Sequence, residues 1–367
     1  MNIISAVLSE NSLDIVFENG IKDCFPYIWL RDHCKDPKNW DSRSNQRTVF
    51  TALLDPKIKI SEFKFINDNN KIEVKWPDME EAVSYSADFL YENRLDTQSL
   101  KNSDFVWDKD MLHETFITIN YEKILKKEGM KNLLKAISCY GFSIIENCPK
   151  NMTSVEYIAN EIGYVRNSIF GGLWSFESNS GMADSAYTQE ELRPHTDGTY
   201  NHDAPGLQIL LCCDYDAEGG ESIMVDGFKI AEIIKKTESS YFNVLTKVDV
   251  PGRYLGDGVE LIAKRPVFKL DKGDKLIQVS FNNYDRSDFR LPNNQIKAFY
   301  DSIRAFDKLA NEKSMQWRKI LKPGQMLIFN NWRILHGRSE FKGKRKMAGC
   351  YINKEDFESS CRMFGLN

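Results

Sequence analysis

The run Arg193-Pro194-His195-Thr196-Asp197-Gly198-Thr199-Tyr200 sets an imidazole and a carboxylate two residues apart. In a strand, or at its end, residues i and i+2 point to one face. His195 and Asp197 can therefore share one ion. Two ligands do not hold a metal at an open site, so a third must come from elsewhere in the chain. Five histidines are available: His33, His113, His195, His202 and His336. His202 falls in the polar, loop-like run Asn201-His202-Asp203, whereas His336 sits in Asn331-Trp332-Arg333-Ile334-Leu335-His336-Gly337-Arg338. We take His336 as the third ligand. Two imidazoles and one carboxylate form the facial set that keeps positions open on a non-haem Fe(II) ion. A His-x-Asp pair alone arises readily by chance, and the run around His336 is what lifts this one above it.

The rest of the chain bounds the possibilities. Its 367 residues are enough for one large domain or two. Hydrophobic residues make up 42% and charged residues 28%, the balance of an ordinary globular protein. A net charge of -4 argues against a nucleic-acid partner, and no apolar run is long enough to span a membrane. Met1-Asn2-Ile3-Ile4-Ser5 lacks the basic and apolar regions of a signal peptide, and no Arg-rich transit segment is present, which predicts a cytoplasmic protein. Eight scattered cysteines without a Cys-x-x-Cys then read as reduced thiols.

Taken in order, residues 1 to 105 read as a small β-rich domain. Ile15 to Gly20 ends in an Asn-Gly hairpin turn, and Phe63 to Trp76 forms a second hairpin around a polar loop. A short helix is expected over Ser84 to Glu92, and Asn102 to His113 reads as a linker. From 106 to 367 the pattern is a larger domain. Met130 to Cys139 is helical and stops before Gly141; Gly141 to Cys148 is a strand. Thr153-Ser154-Val155-Glu156 reads as a capping box for a helix ending near Gly163. Strands follow at Leu207 to Cys212, Leu276 to Phe281, Gln325 to Phe329 and Arg345 to Ile352. Helices run from Phe228, capped by Asp226, to Lys236 and from Gln295 to Ala310. Many short strands with helices outside predict a mainly β fold with flanking helices, a jelly-roll barrel.

His195-x-Asp197, Gly219-Gly220-x-Ser222 with Val225-Asp226-Gly227, the run Asn331 to Arg338, and Arg345 before Gly349-Cys350-Tyr351 together resemble a known family. They are similar to the 2-oxoglutarate-dependent dioxygenases of carnitine biosynthesis, the γ-butyrobetaine and trimethyllysine enzymes. The likeness extends from Trp29-Leu30-Arg31-Asp32-His33-Cys34 to the chain's last residues. It implies a double-stranded β-helix, with His195, Asp197 and His336 as Fe(II) ligands and 2-oxoglutarate and O2 as cosubstrates. Ascorbate is a supporting reductant in such a system, and a homodimer is expected by the same analogy. Arg345 matches the guanidinium that holds the distal carboxylate of 2-oxoglutarate, and Ser222 the hydroxyl beside it. Strand alternation would send Arg345 to the face opposite Lys344 and Lys346.

The resemblance also assigns a substrate pocket. Phe170, Trp174 and Tyr187 match the aromatic cage for a trimethylammonium group, which has no N–H to donate and is held by ring faces. Phe170 stands where the family usually has Tyr, and Gly198 replaces a cage tyrosine of the γ-butyrobetaine enzymes. Asp184 stands where those enzymes carry Asn. A carboxylate there suits an α-ammonium and repels a carboxylate. Asn282 and Asn283, in Asn282-Asn283-Tyr284-Asp285-Arg286, look like the trimethyllysine branch, where an amide would hold the amino-acid carboxylate. The expected reaction is hydroxylation of N6-trimethyllysine at its β-carbon. γ-Butyrobetaine, another quaternary ammonium or a phosphonate are the alternatives within the class, and a non-catalytic methyl-lysine binder is the alternative outside it. Such a binder needs none of His195, Asp197, His336 or Arg345. No structural zinc is expected in the N-terminal domain. Of the γ-butyrobetaine enzymes' cysteine cluster only Cys34 remains, with Asp36 and Asn39 at other positions, and Trp76-Pro77-Asp78 leads into Met79-Glu80 rather than a histidine.

Overall fold

A computed structural model describes residues 1–95, 105–177 and 189–366. The chain divides into two compact units, Met1–Asn102 and Ser103–Asn367.

In the first unit, strands Ile3–Leu8, Ser12–Phe17 and Lys22–Pro26 form one antiparallel sheet, and Glu62–Ile66, Lys71–Lys75 and Val83–Ser86 form another. Alternation dictates the buried faces: Leu13, Ile15 and Phe17 on one strand, Ile72 and Val74 on another, all close around Trp76. Asn67, Asp68 and Asn69 take positive φ at the hairpin tip, which their short polar side chains tolerate. The helix expected over Ser84 to Glu92 starts later. Val83 and Tyr85 alternate into the core as a strand, and the Ser86 hydroxyl then caps the helix Ala87–Glu92.

Around Cys34 the donor set does not suit zinc. The Arg31 guanidinium lies among the candidate ligands, donating from Nη2 to Asp78 at 2.8 Å and from Nη1 to Oδ1 of Asn39 at 3.2 Å. Asn39 donates in turn to Cys34 Sγ at 3.5 Å. Burial pushes the Cys34 thiol up, away from the thiolate a metal requires.

The second unit is a pair of facing sheets. The larger runs Val165–Arg166, Phe341–Ile352, Leu207–Gly219, Met326–Asn330, Phe142–Glu146, Thr118–Asn120, with Leu173–Glu177 also paired to Phe341–Ile352. The smaller runs Leu192–His195, Ile334–Arg338, Ser222–Asp226, Gln316–Lys319. This is the double-stranded β-helix. Leu207, Ile209 and Leu211 face outwards onto helices Lys127–Tyr140, Met152–Ile162 and Lys354–Met363. Ile223, Val225 and Leu335 do the same on the other side, against Gly227–Thr237, Ser239–Lys247 and Asn293–Asn311. Between the sheets, Phe142, Trp317, Leu327, Phe329 and Met347 form one packed core. No described helix is long and apolar enough to cross a membrane.

Two further expectations need correcting, and one buried ion pair is new. The stretch expected to be a linker carries Trp107, fully buried, with its main-chain N–H on Asp226 Oδ2 at 3.1 Å and its indole N–H on the Tyr140 carbonyl at 2.7 Å, so it is part of the core. The helix placed at Thr153 begins at Met152, and Asn151 caps it by accepting from Ser154 N at 3.0 Å. Arg333, in the same run as His336, is consumed by a fully buried pair with Asp226 at 2.7 Å.

Candidate active site

His195 ends strand Leu192–His195 and lies directly across from His336 on Ile334–Arg338. Asp197 follows where the strand stops. Its main chain is held by one side chain: Asn331 accepts from Asp197 N at 2.7 Å and donates to Asp197 O at 3.0 Å and Pro205 O at 2.9 Å. Gly198, at φ +70, then turns the chain where a Cβ would meet Pro205 Cδ at 2.6 Å.

The three side chains converge. Asp197 Oδ1 lies 3.4 Å from His195 Nε2 and 3.5 Å from His336 Nε2, and all three donor atoms lie within 4.8 Å of one another. Metal–ligand bonds of roughly 2 Å at right angles put neighbouring donors about 3 Å apart, so this set fits one ion with little movement. His195 Nδ1 lies 2.8 Å from the Arg193 carbonyl, which as a donor it satisfies while leaving Nε2 its lone pair. Tyr351 donates to Asp197 Oδ2 at 2.8 Å, which leaves Oδ1 for the ion. Burial lowers His336 to about 3, keeping it neutral and able to ligate. For Asp197, burial alone would raise its carboxyl, but the two imidazoles and the Tyr351 hydroxyl around it outweigh that and hold it well below the usual range. His202 lies outside the cluster.

The triad opens onto a cavity of about 290 Å³ between the two sheets. Its wall is set by strand register. Ser222 pairs with Arg338 and Met224 with His336, while Gln208 pairs with Tyr351 across the larger sheet. Arg338, Arg345 and Ser222 are all buried and line it together. Arg345 does alternate inwards, with Lys344 and Lys346 exposed on either side. Burial lowers both guanidinium groups, Arg338 to about 10 with the charge of Arg345 adding to it. Arg345 Nε has no hydrogen-bond partner among the described residues. Two desolvated cations beside a hydroxyl form a receptor for a carboxylate.

Aromatic rings make up much of the remaining wall. Phe170 and Trp174 line the cavity, and the Trp174 indole passes so close to Gly349 that a Cβ there would lie 2.4 Å from it. Tyr187 and Asp184 lie outside the described residues. Asn282 also lines the cavity, but its amide donates to Asp285 Oδ2 at 2.8 Å, which commits it to a neighbour. Asn283 is exposed and lines clefts on the far side of this loop, not the cavity.

Among the lining residues that sequence reasoning missed are Tyr200, Gln208, Tyr254 and Asp285. Tyr200 belongs to the His-x-Asp run itself, and strand alternation from Leu207 could have singled out Gln208. Tyr254 comes from the hairpin Val250–Gly256 and Val259–Arg265, whose approach to the site leaves no local signal. Its ring lies 5.3 Å from that of Tyr200.

Comparison with known proteins agrees with this geometry. Residues 106–351 match the family model described as taurine catabolism dioxygenase TauD, TfdA family, and residues 4–91 match the γ-butyrobetaine hydroxylase-like N-terminal model. The chain is 31% identical to the mitochondrial trimethyllysine dioxygenase of Bos taurus, over 97% of this chain and 86% of that one. It is 29% identical to the trimethyllysine dioxygenase of Meyerozyma guilliermondii, over 99% and 96%. Identity to the γ-butyrobetaine dioxygenase of Pongo abelii is 25%, over 96% and 94%. With a buried His-Asp-His cluster at the mouth of a double-stranded β-helix and a carboxylate receptor beside it, the chain belongs to the TauD, TfdA family and is an Fe(II)- and 2-oxoglutarate-dependent dioxygenase.

Proposed function

We propose that the enzyme hydroxylates N6-trimethyllysine at its β-carbon to give 3-hydroxy-N6-trimethyllysine, a step of carnitine biosynthesis. The observation that carries this reading is the division of one cavity into a paired-arginine end and an aromatic wall, with the His-Asp-His cluster on its lining. The names of the most similar relatives support it.

His195, Asp197 and His336 would hold Fe(II). Arg345, with Ser222 and Arg338 beside it, would hold the distal carboxylate of 2-oxoglutarate. Bound Fe(II) would let O2 act as the oxidant with 2-oxoglutarate as co-reductant, one oxygen atom going to the substrate C–H bond and the other into succinate, with CO2 released. The chain's own part is binding, orientation and exclusion of water. Tyr351 orients Asp197, Asn331 fixes the Asp197 main chain, and Phe170 and Trp174 offer ring faces to the trimethylammonium. Tyr187 belongs to this cage by resemblance, and Asp184 to the α-ammonium. The two cations of trimethyllysine thus meet different chemistry, ring faces for one and a carboxylate for the other.

Succinate release with Fe(II) and 2-oxoglutarate, measured over a panel of trimethylammonium compounds, tests the reading. Trimethyllysine should be turned over most efficiently, with a single hydroxyl added at the β-carbon. A higher efficiency with γ-butyrobetaine would reassign the substrate, and no succinate with any compound would favour a binder. Asp184→Asn should move the ratio of turnover efficiencies towards γ-butyrobetaine.

A further inference from the structure

We infer that Asp285 is a second acceptor for the substrate α-ammonium, and that Asn282 and Thr199 position its carboxylate for this. The inference rests on the reading of the substrate as a trimethylammonium amino acid. Asp285 is half-buried and lines the same cavity as His195, Asp197 and His336. Asn282 Nδ2 donates to its Oδ2 at 2.8 Å and Thr199 Oγ1 at 3.4 Å. Asn282 is itself fixed, because its Oδ1 accepts from Tyr284 N at 2.9 Å.

The main chain at Asp285 is equally constrained. Its carbonyl accepts from Arg253 N at 2.8 Å, and Gly252 and Arg286 form an isolated bridge. Gly252 packs so closely on Thr199 that a Cβ there would lie 2.6 Å from the Thr199 carbonyl carbon. Three segments distant in sequence therefore meet to set one carboxylate at the wall of the cavity that Tyr200 and Tyr254 also line.

The chemistry selects the ligand group. A carboxylate in a cavity accepts hydrogen bonds and attracts cations. A primary ammonium has three N–H donors and no acceptor, whereas trimethylammonium has no N–H at all. Asp285 therefore suits the α-ammonium and leaves the methylated end to the rings. The amide of Asn282 then serves the substrate through Asp285, not by binding the substrate carboxylate directly.

A rival role exists, because the charge of Asp285 also acts on His195 and raises it. The test must separate substrate binding from an effect on the metal. Asp285→Asn should lower kcat/KM for trimethyllysine by about 30-fold or more, the loss expected when one partner of a buried charged pair is removed. Against the analogue of trimethyllysine lacking its α-amino group, measured as substrate and as competitive ligand, the same variant should differ from wild type less than about threefold. Asn282→Ala should show the same selectivity with a smaller loss. Fe(II) affinity should be unchanged in both variants. Equal losses on the two compounds, or weakened Fe(II) binding, would overturn the assignment while leaving the trimethyllysine reading intact. Wild-type enzyme that turns over neither compound would overturn the reading, and this assignment with it.

Discussion

The phenol of Tyr351 donates to Oδ2 of Asp197 across 2.8 Å, while Oδ1 of the same carboxylate faces Nε2 of both His195 and His336. One hydrogen bond thus decides which carboxylate oxygen is offered to the metal. Tyr351 reaches it from the larger sheet, whereas both histidines stand on the smaller one.

Removing that phenol should loosen the carboxylate without disturbing the fold. Tyr351→Phe is expected to weaken Fe(II) binding about 10- to 100-fold, the usual effect of losing a partner behind a metal ligand. Metal titration followed by activity at saturating Fe(II) checks it. Wild-type affinity in the variant would show that Asn331 alone holds Asp197 in place. His195→Ala or His336→Ala, by contrast, should abolish turnover at any Fe(II) concentration.

Arg345→Ala should raise the 2-oxoglutarate requirement sharply, because truncating one partner of a buried charged pair costs roughly 2–5 kcal/mol. Arg338→Ala should give a smaller rise, since Arg338 already donates to the Glu190 carbonyl at 2.7 Å. The dependence of succinate formation on 2-oxoglutarate concentration separates the two. A larger effect at Arg338 would reverse their roles.

Trp174→Leu keeps apolar bulk but removes a ring face. Cation–π contacts that are partly desolvated contribute about 1–2 kcal/mol, so KM for trimethyllysine should rise about tenfold. The 2-oxoglutarate dependence should stay put. If the rise were the same for an uncharged isostere of the substrate, Trp174 would be a packing residue and not part of a cage.

In the N-terminal unit, elemental analysis of protein stripped of iron should find no stoichiometric zinc. Arg31→Ala should instead destabilise that unit by about 1–3 kcal/mol, since Asn39 and Asp78 lose their shared donor. The midpoint of urea unfolding reads this out. One tightly held zinc per chain would contradict the donor-set argument.

Much of the larger unit was legible because its signals are local. Leu207 to Cys212 reads as a strand from its apolar run, and the structure extends it to Gly219. Asp226 reads as a cap and accepts from Phe228 N at 3.0 Å. Its second role, as the buried partner of Arg333, depends on residues more than a hundred positions apart and leaves no trace in the local sequence. Trp107 was misread for a similar reason. A polar stretch around one aromatic looks like a linker until the pocket that buries the ring is known.

At the site the division is sharper. The sequence alone determined which side chains have the chemistry for a facial metal triad and for a carboxylate receptor. The His-x-Asp interval marked two of the ligands, the family resemblance pointed to Arg345 and Ser222, and strand alternation turned Arg345 inwards. Only the tertiary structure decided that Asn282 is committed to Asp285, that Asn283 faces away, and that Tyr200, Tyr254, Gln208 and Asp285 share the cavity. Periodicity dictates which face of a strand a side chain occupies. Which other strand or hairpin closes over that face depends on the packing of the whole barrel, and that packing is where the substrate wall is made.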